Sequence, residues 1–119
     1  MNYDQQNVFA KILRGEIPND TVYEDEHVLA FHDINPQAPV HVLVIPKGPY
    51  STMTSFAALA NEEEQAAFIR AIGEVAKITG IDGAGFRTIC NNGSNGIQEV
   101  PHLHMHVLGG RKLGRMIGS

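Results

Sequence analysis

Apolar residues recur along this chain with two periods, near 3.6 and near 2, and the switches between them divide it into elements. Val8, Phe9, Ile12 and Leu13 repeat at helical intervals, and Gly15 stands where a helix would stop, so Asn7 to Arg14 is predicted as a short helix. Val22-Tyr23 and Val28 to Phe31 are predicted strands, separated by the acidic turn Glu24-Asp25-Glu26. Between Pro39 and Pro46, His41 to Ile45 reads as a buried strand, with Val42 and Val44 on one face and Leu43, Ile45 and His41 on the other. Glu62 to Thr79 is the one long helix expected, with Phe68, Ile69, Ile72, Val75 and Ala76 as its apolar stripe. Glu62, Glu63 and Glu64 suit its positive N-terminal end, and Gly80 suits the position just past its C-terminus. Phe86 to Cys90 and Leu103 to Leu108 complete the set as two strands. The turn-rich Asn91-Asn92-Gly93-Ser94-Asn95-Gly96 joins them as a hairpin, and Pro101 falls at the start of the second, where a missing N–H matters least.

Helix, strands, long helix, two strands is a segregated order, which predicts an α+β domain built on an antiparallel sheet. The 119 residues carry no repeat or linker and suit one domain over 1–119. Nine basic against 13 acidic residues give a net charge of −4, which argues against a nucleic-acid-binding surface. Neither a secretory signal nor an apolar run of membrane-spanning length is present, so no membrane partner is expected and the cytoplasm is the expected compartment. The single cysteine, Cys90, excludes an internal disulfide and reads as a small buried thiol.

The last predicted strand changes the picture. Three of the chain's six histidines alternate with apolar residues in His102-Leu103-His104-Met105-His106-Val107, so a strand there would put three imidazoles on one face. Packing gains nothing from such a row. Metal binding is one chemistry that wants it, although the outer rings of a strand lie about 13 Å apart and at most two neighbours would share a zinc ion. Phosphoryl or nucleotidyl transfer is the other, since spaced rings can meet a reacting phosphorus, its oxygens and a leaving group together.

The spacing His102-x-His104-x-His106 before Val107-Leu108 resembles the histidine triad (HIT) family of nucleotide hydrolases and transferases. Phe31-His32-Asp33-Ile34, Pro36-Gln37-Ala38-Pro39, His41 with Val44-Ile45-Pro46-Lys47, and Leu108-Gly109-Gly110-Arg111 are similar to one branch, the histidine triad nucleotide-binding proteins, which are purine nucleoside phosphoramidases. The resemblance implies a HIT-like fold: a five-stranded antiparallel sheet with one long and one short helix, paired in a homodimer as a ten-stranded sheet. It implies an enzyme that splits adenosine or guanosine 5′-phosphoramidates through a nucleotidyl-histidine, with no cofactor and no metal.

Carried onto this sequence, the resemblance makes His104 the nucleophile. His106 stands on the leaving-group side against the phosphate, His102 supports the nucleophile, and His41 completes the site from another strand. Asp33 would hold the ribose hydroxyls, as a carboxylate can accept from both hydroxyls of a cis-diol. Phe31, His32 and Ile34, with Phe9 and Ile12 of the first helix, would form the nucleoside pocket, although a plain core role competes for the apolar ones. Asn91 and the backbone near Gln98 would orient the phosphate. His27 matches no site of the family and reads as a surface residue.

Three positions depart from the pattern. Glu99 stands where eukaryotic members commonly carry serine; many bacterial relatives also have glutamate here, and it is expected to face the leaving amine. Ile97 replaces a glycine often found before the glutamine, which narrows the loop around the phosphate, and Pro101 replaces a common aromatic. Two other readings stand beside the phosphoramidase: a dinucleoside polyphosphate hydrolase of the same superfamily, and a zinc- or nucleotide-binding interaction protein.

Overall fold

A computed structural model describes residues 3–118. Its element order is α1 (Val8–Leu13), β1 (Thr21–Glu24), β2 (Val28–His32), β3 (Val40–Pro46), α2 (Met53–Leu59), α3 (Glu62–Ile78), β4 (Phe86–Ile89) and β5 (Met105–Gly109). The strands form one five-stranded sheet in the order β1-β2-β3-β5-β4, with every pair antiparallel. This is the expected α+β architecture.

The two faces of β2 and β3 are both covered, which is why these strands are apolar without interruption. Val28, Ala30, Val42 and Val44 pack with Phe68, Ala71 and Val75 of α3 on one side. Leu29, Phe31, Leu43 and Ile45 pack with Phe9 of α1 on the other. Asn7 caps α1 through its side-chain oxygen, which accepts from Ala10 N–H at 2.9 Å. The long helix turns Ala67, Phe68, Ala71, Val75 and Ala76 inward, whereas Ile69, assigned to the stripe, faces solvent. Its start is fixed by a capping box between Asn61 and Glu64, and the three glutamates occupy the first turn as expected.

Two elements depart from expectation. Met53–Leu59 forms a further short helix, capped by Thr52 with Ser55, and its Phe56 is buried between Tyr50 and Phe68. The last strand begins at Met105 rather than Leu103, so His102 and His104 precede the ladder, and Pro101 lies in a bend ahead of it. Cys90 is a half-buried free thiol. His27 is half-buried, 3.8 Å from Glu26 and 3.9 Å from Glu63. No helix among the described residues is long and apolar enough to cross a membrane.

Candidate active site

A cavity of about 570 Å³ opens over the α1 face of the sheet. Phe9, Ile12, Phe31, His32, Asp33, Ile34, Asn91, Ile97, Glu99, His104 and His106 line it, all of them named from the sequence. Val8, Ile17, Pro18, Asn19, Asp20, Gln37, Leu43 and Val100 line it as well and were not named as site residues. Ile17 to Asp20 follow α1 without periodicity, and Leu43 reads from sequence only as core, so no local signal marks them. His41, His102 and Gln98, also named from the sequence, do not line it.

The ring nitrogens are held in a definite pattern. His104 Nδ1 lies 2.7 Å from the carbonyl oxygen of His102, so Nδ1 carries the hydrogen and Nε2 keeps its lone pair. The carbonyl is available because residues 102–104 precede the strand and their backbone is not spent on a ladder. Phe9 meets the His104 ring edge-on at 4.9 Å between centroids and limits its rotation.

His41 is fixed from the other side. The backbone N–H of Gln37 donates to its Nδ1 at 3.0 Å, so the ring's hydrogen sits on Nε2. That Nε2–H donates to His106 Nδ1 at 2.9 Å and lies 3.4 Å from Asp33 Oδ2. With Nδ1 accepting, the neutral His106 carries its hydrogen on Nε2. The site therefore presents one ring with a lone pair at Nε2 and one with a hydrogen there, the two centroids 5.1 Å apart.

His102 is fully buried, with Nε2–H donating to the carbonyl of Pro46 at 2.8 Å and Nδ1 accepting from the hydroxyl of Tyr3 at 2.5 Å. Its role in this geometry is that of an anchor rather than a third ring on an open row. The strand periodicity would have placed it in the cavity; the bend at Pro101 and Val100 turns it inward instead.

Burial disfavours charge on all four rings. It pulls His102 down to about 4, and it does the same for His106, helped by the neighbouring rings of His104 and His41. His104 is also lowered by burial, against the opposing pull of its bond to the His102 carbonyl and of the Asp33 and Glu99 carboxylates. Burial lowers His41 too, with Asp33 acting in the opposite sense. Burial thus favours the uncharged form of His41, His102, His104 and His106.

Donor atoms of Asp33, His41 and His106 lie within 4.8 Å of one another, close enough to suggest a metal. The hydrogen-bond pattern does not fit one. A metal on His41 Nε2 would displace the only hydrogen of a ring whose Nδ1 already accepts from Gln37, leaving an imidazolate or breaking that bond.

The loop from Asn91 to Gln98 is rigidly tied. Gln98 Oε1 accepts from Gly93 N–H at 3.0 Å, and its Nε2 donates to the carbonyls of Ser51 at 2.7 Å and Val100 at 3.0 Å. Asn92 Oδ1 accepts from Met53 N–H at 2.8 Å, at the head of α2. The unforeseen helix is thus what braces this wall of the cavity.

Sheet, bracing helix and paired imidazoles define a compact α+β protein with a histidine-walled pocket of ligand size. The chain belongs to the HIT domain family, whose model matches residues 14–113. It is 60% identical over 115 residues to a HIT-like protein of Azospirillum brasilense, covering 97% of this chain and 94% of that one. It is 46% identical to the purine nucleoside phosphoramidase of Escherichia coli K12, covering 95% of this chain and 94% of that one. The solved structure of a histidine triad protein from Clostridium difficile superposes with a TM-score of 0.84 at 43% identity, covering 98% of this chain and all of that one.

Proposed function

We propose that this chain is a purine nucleoside phosphoramidase, hydrolysing the P–N bond of AMP- or GMP-amine conjugates through a covalent nucleotidyl-histidine. The observation that carries the reading is the lone pair on His104 Nε2, freed because Nδ1–H is held by the His102 carbonyl at 2.7 Å inside a cavity of nucleotide size. The 46% identical relative named for this activity supports it.

The nucleoside lies between Phe9, Ile12, Phe31, His32 and Ile34, with Asp33 accepting from the ribose hydroxyls. Asn91 and the backbone near Gln98 orient the phosphate. His104 Nε2 attacks the α-phosphorus, and the P–N bond breaks with its electron pair on nitrogen, which takes a proton from solvent at the mouth and leaves as the amine. The adduct ring is cationic, and the His102 carbonyl facing its Nδ1–H stabilises that charge. His106, kept neutral with hydrogen on Nε2, donates to a phosphate oxygen. Water then attacks phosphorus and loses a proton to solvent, the P–Nε2 pair returns to His104, and the nucleoside monophosphate departs. No step calls for a metal ion.

The protein works as a homodimer. The far edge of β4 carries no strand among the described residues, and Phe86 and Ile89 stand partly exposed there, an edge that pairing with a second copy would cover. Its place is the cytoplasm, with neither nucleic acid nor membrane as partner.

The test is AMP release from adenosine 5′-phosphoramidate, in chelator, by wild type and His104→Ala. Metal-independent release that falls by about three orders of magnitude or more in the variant supports the reading. Near-normal hydrolysis by His104→Ala would refute it. The zinc-binding reading would need Asp33, His41 and His106 as ligands, at the cost of the bond from Gln37 N–H to His41. Stoichiometric zinc in the purified protein, with loss of fold on chelation, would favour it.

A further inference from the structure

Three turns in this molecule close with the same pair of backbone hydrogen bonds. After α1, Gly15 N–H donates to Ile12 O at 3.0 Å and Glu16 N–H to Lys11 O at 2.9 Å. After α3, Gly80 N–H donates to Lys77 O at 3.1 Å and Ile81 N–H to Ala76 O at 3.0 Å. In the loop over the site, Ile97 N–H donates to Ser94 O and Gln98 N–H to Gly93 O, both at 3.0 Å. Such a closure, the Schellman motif, puts one residue in the left-handed region, where glycine is the usual occupant.

Gly15 sits there at φ +79° and Gly80 at +76°. The third occupant is Ile97 at +54°, the one non-glycine with positive φ among the described residues. A β-branched side chain is unfavourable in this region, because its Cβ crowds the following carbonyl. Strain of this kind persists only where the surroundings impose it. The ties of Gln98 and Asn92 to Ser51, Val100 and Met53 do so here.

Glycine would satisfy the same bonds and relax the turn. Packing does not explain the isoleucine, since the residue is 75% exposed and forms part of the lining of the cavity. Strain retained at an exposed apolar wall points to a ligand. The sheet order says which part of the ligand. Phe31 and Asp33 lie at β2, the reacting ring next to β5, and the loop bearing Ile97 leaves β4 on the opposite side of β5 from β2 and β3. A nucleoside over β2 and β3 with its phosphate at β5 sends the remaining phosphorus substituent toward Ile97.

We propose that Ile97 is a specificity-determining residue: its side chain is an apolar wall for the leaving group and favours phosphoramidates whose amine carries an aliphatic or aromatic substituent over the unsubstituted amidate. The inference rests on the phosphoramidase reading and deepens it. Removing an apolar wall of this size changes discrimination by about tenfold.

The experiment compares kcat/KM for adenosine 5′-phosphoramidate with and without an N-butyl group, in wild type, Ile97→Gly and Ile97→Ala. Wild type is expected to prefer the butyl compound. Both variants should lower that preference about tenfold, while Tm rises by several degrees only in the glycine variant, which relieves the strain. A preference within about twofold of wild type in both variants, with AMP release intact, overturns the inference. Absence of AMP release from either compound by the wild type overturns the phosphoramidase reading and this inference with it.

Discussion

At the scale of single residues, the account turns on where hydrogens sit on four imidazoles. His104 has a lone pair at Nε2 because a carbonyl holds Nδ1–H, and burial keeps that ring uncharged. The proposed nucleophile must be unprotonated, and burial lowers its pKa below the ordinary 6.5. The acid limb of kcat/KM is therefore expected to fall below pH 6.5; a limb centred at or above 6.5 would contradict the assignment. His102, His104 and His106 stood out by their spacing, whereas His41 entered only through the family resemblance of the segment from Pro39 to Pro46. Their tautomers were not legible, because they depend on Gln37 N–H and two carbonyls, which are backbone groups and leave no trace in residue type. Tyr3 was likewise invisible: nothing near residue 3 in sequence indicates that its hydroxyl reaches His102.

Elements explain why the row of histidines split. Alternation suggests one continuous strand, but the ladder starts only at Met105. His102 is folded into the core, where it anchors the chain between Tyr3 and Pro46. A period-2 pattern cannot distinguish a strand from an extended segment that leads into one. The helix Met53–Leu59 escaped for a related reason: it is short, its one buried apolar residue is Phe56, and its start rests on a Thr52–Ser55 capping box rather than on periodicity. The long helix was legible because 17 residues give the 3.6 period room to repeat. Its capping box carries a prediction. Asn61→Ala removes the acceptor for Glu64 N–H and should lower stability by about 1 kcal/mol, read by denaturant unfolding, with nucleotide turnover unchanged. No loss of stability would mean that tertiary packing alone sets this helix start.

For the whole molecule, burial of histidines ties stability to pH. His102 titrates near 6.5 when unfolded and about 4 when folded, so the unfolded chain binds the extra proton between those values. Its contribution is intact above pH 6.5 and is lost progressively as pH falls toward 4, by up to about 3 kcal/mol. Denaturant midpoints measured from pH 7 to pH 4 should fall accordingly, and a His102→Asn variant that still folds should show a shallower fall. The β4 edge, unpaired among the described residues, predicts a second property, a solution mass twice the 13.0 kDa of one chain; a monomer at micromolar concentration would remove the dimer from the account. The strands were legible from short apolar runs bounded by turn residues and prolines, and their number from the family resemblance, whereas the cavity arises only when α1, β2 and the loop after β4 meet.

The most direct test of the central claim is mass spectrometry of the protein during turnover of adenosine 5′-phosphoramidate. The reaction is quenched in base, because a phosphorus–nitrogen adduct is labile in acid. An adenylyl group on the peptide that contains His104, absent from His104→Ala, is the expected result. An adduct on another residue, or AMP release with no adduct under conditions that trap a nucleotidyl-histidine standard, would contradict it.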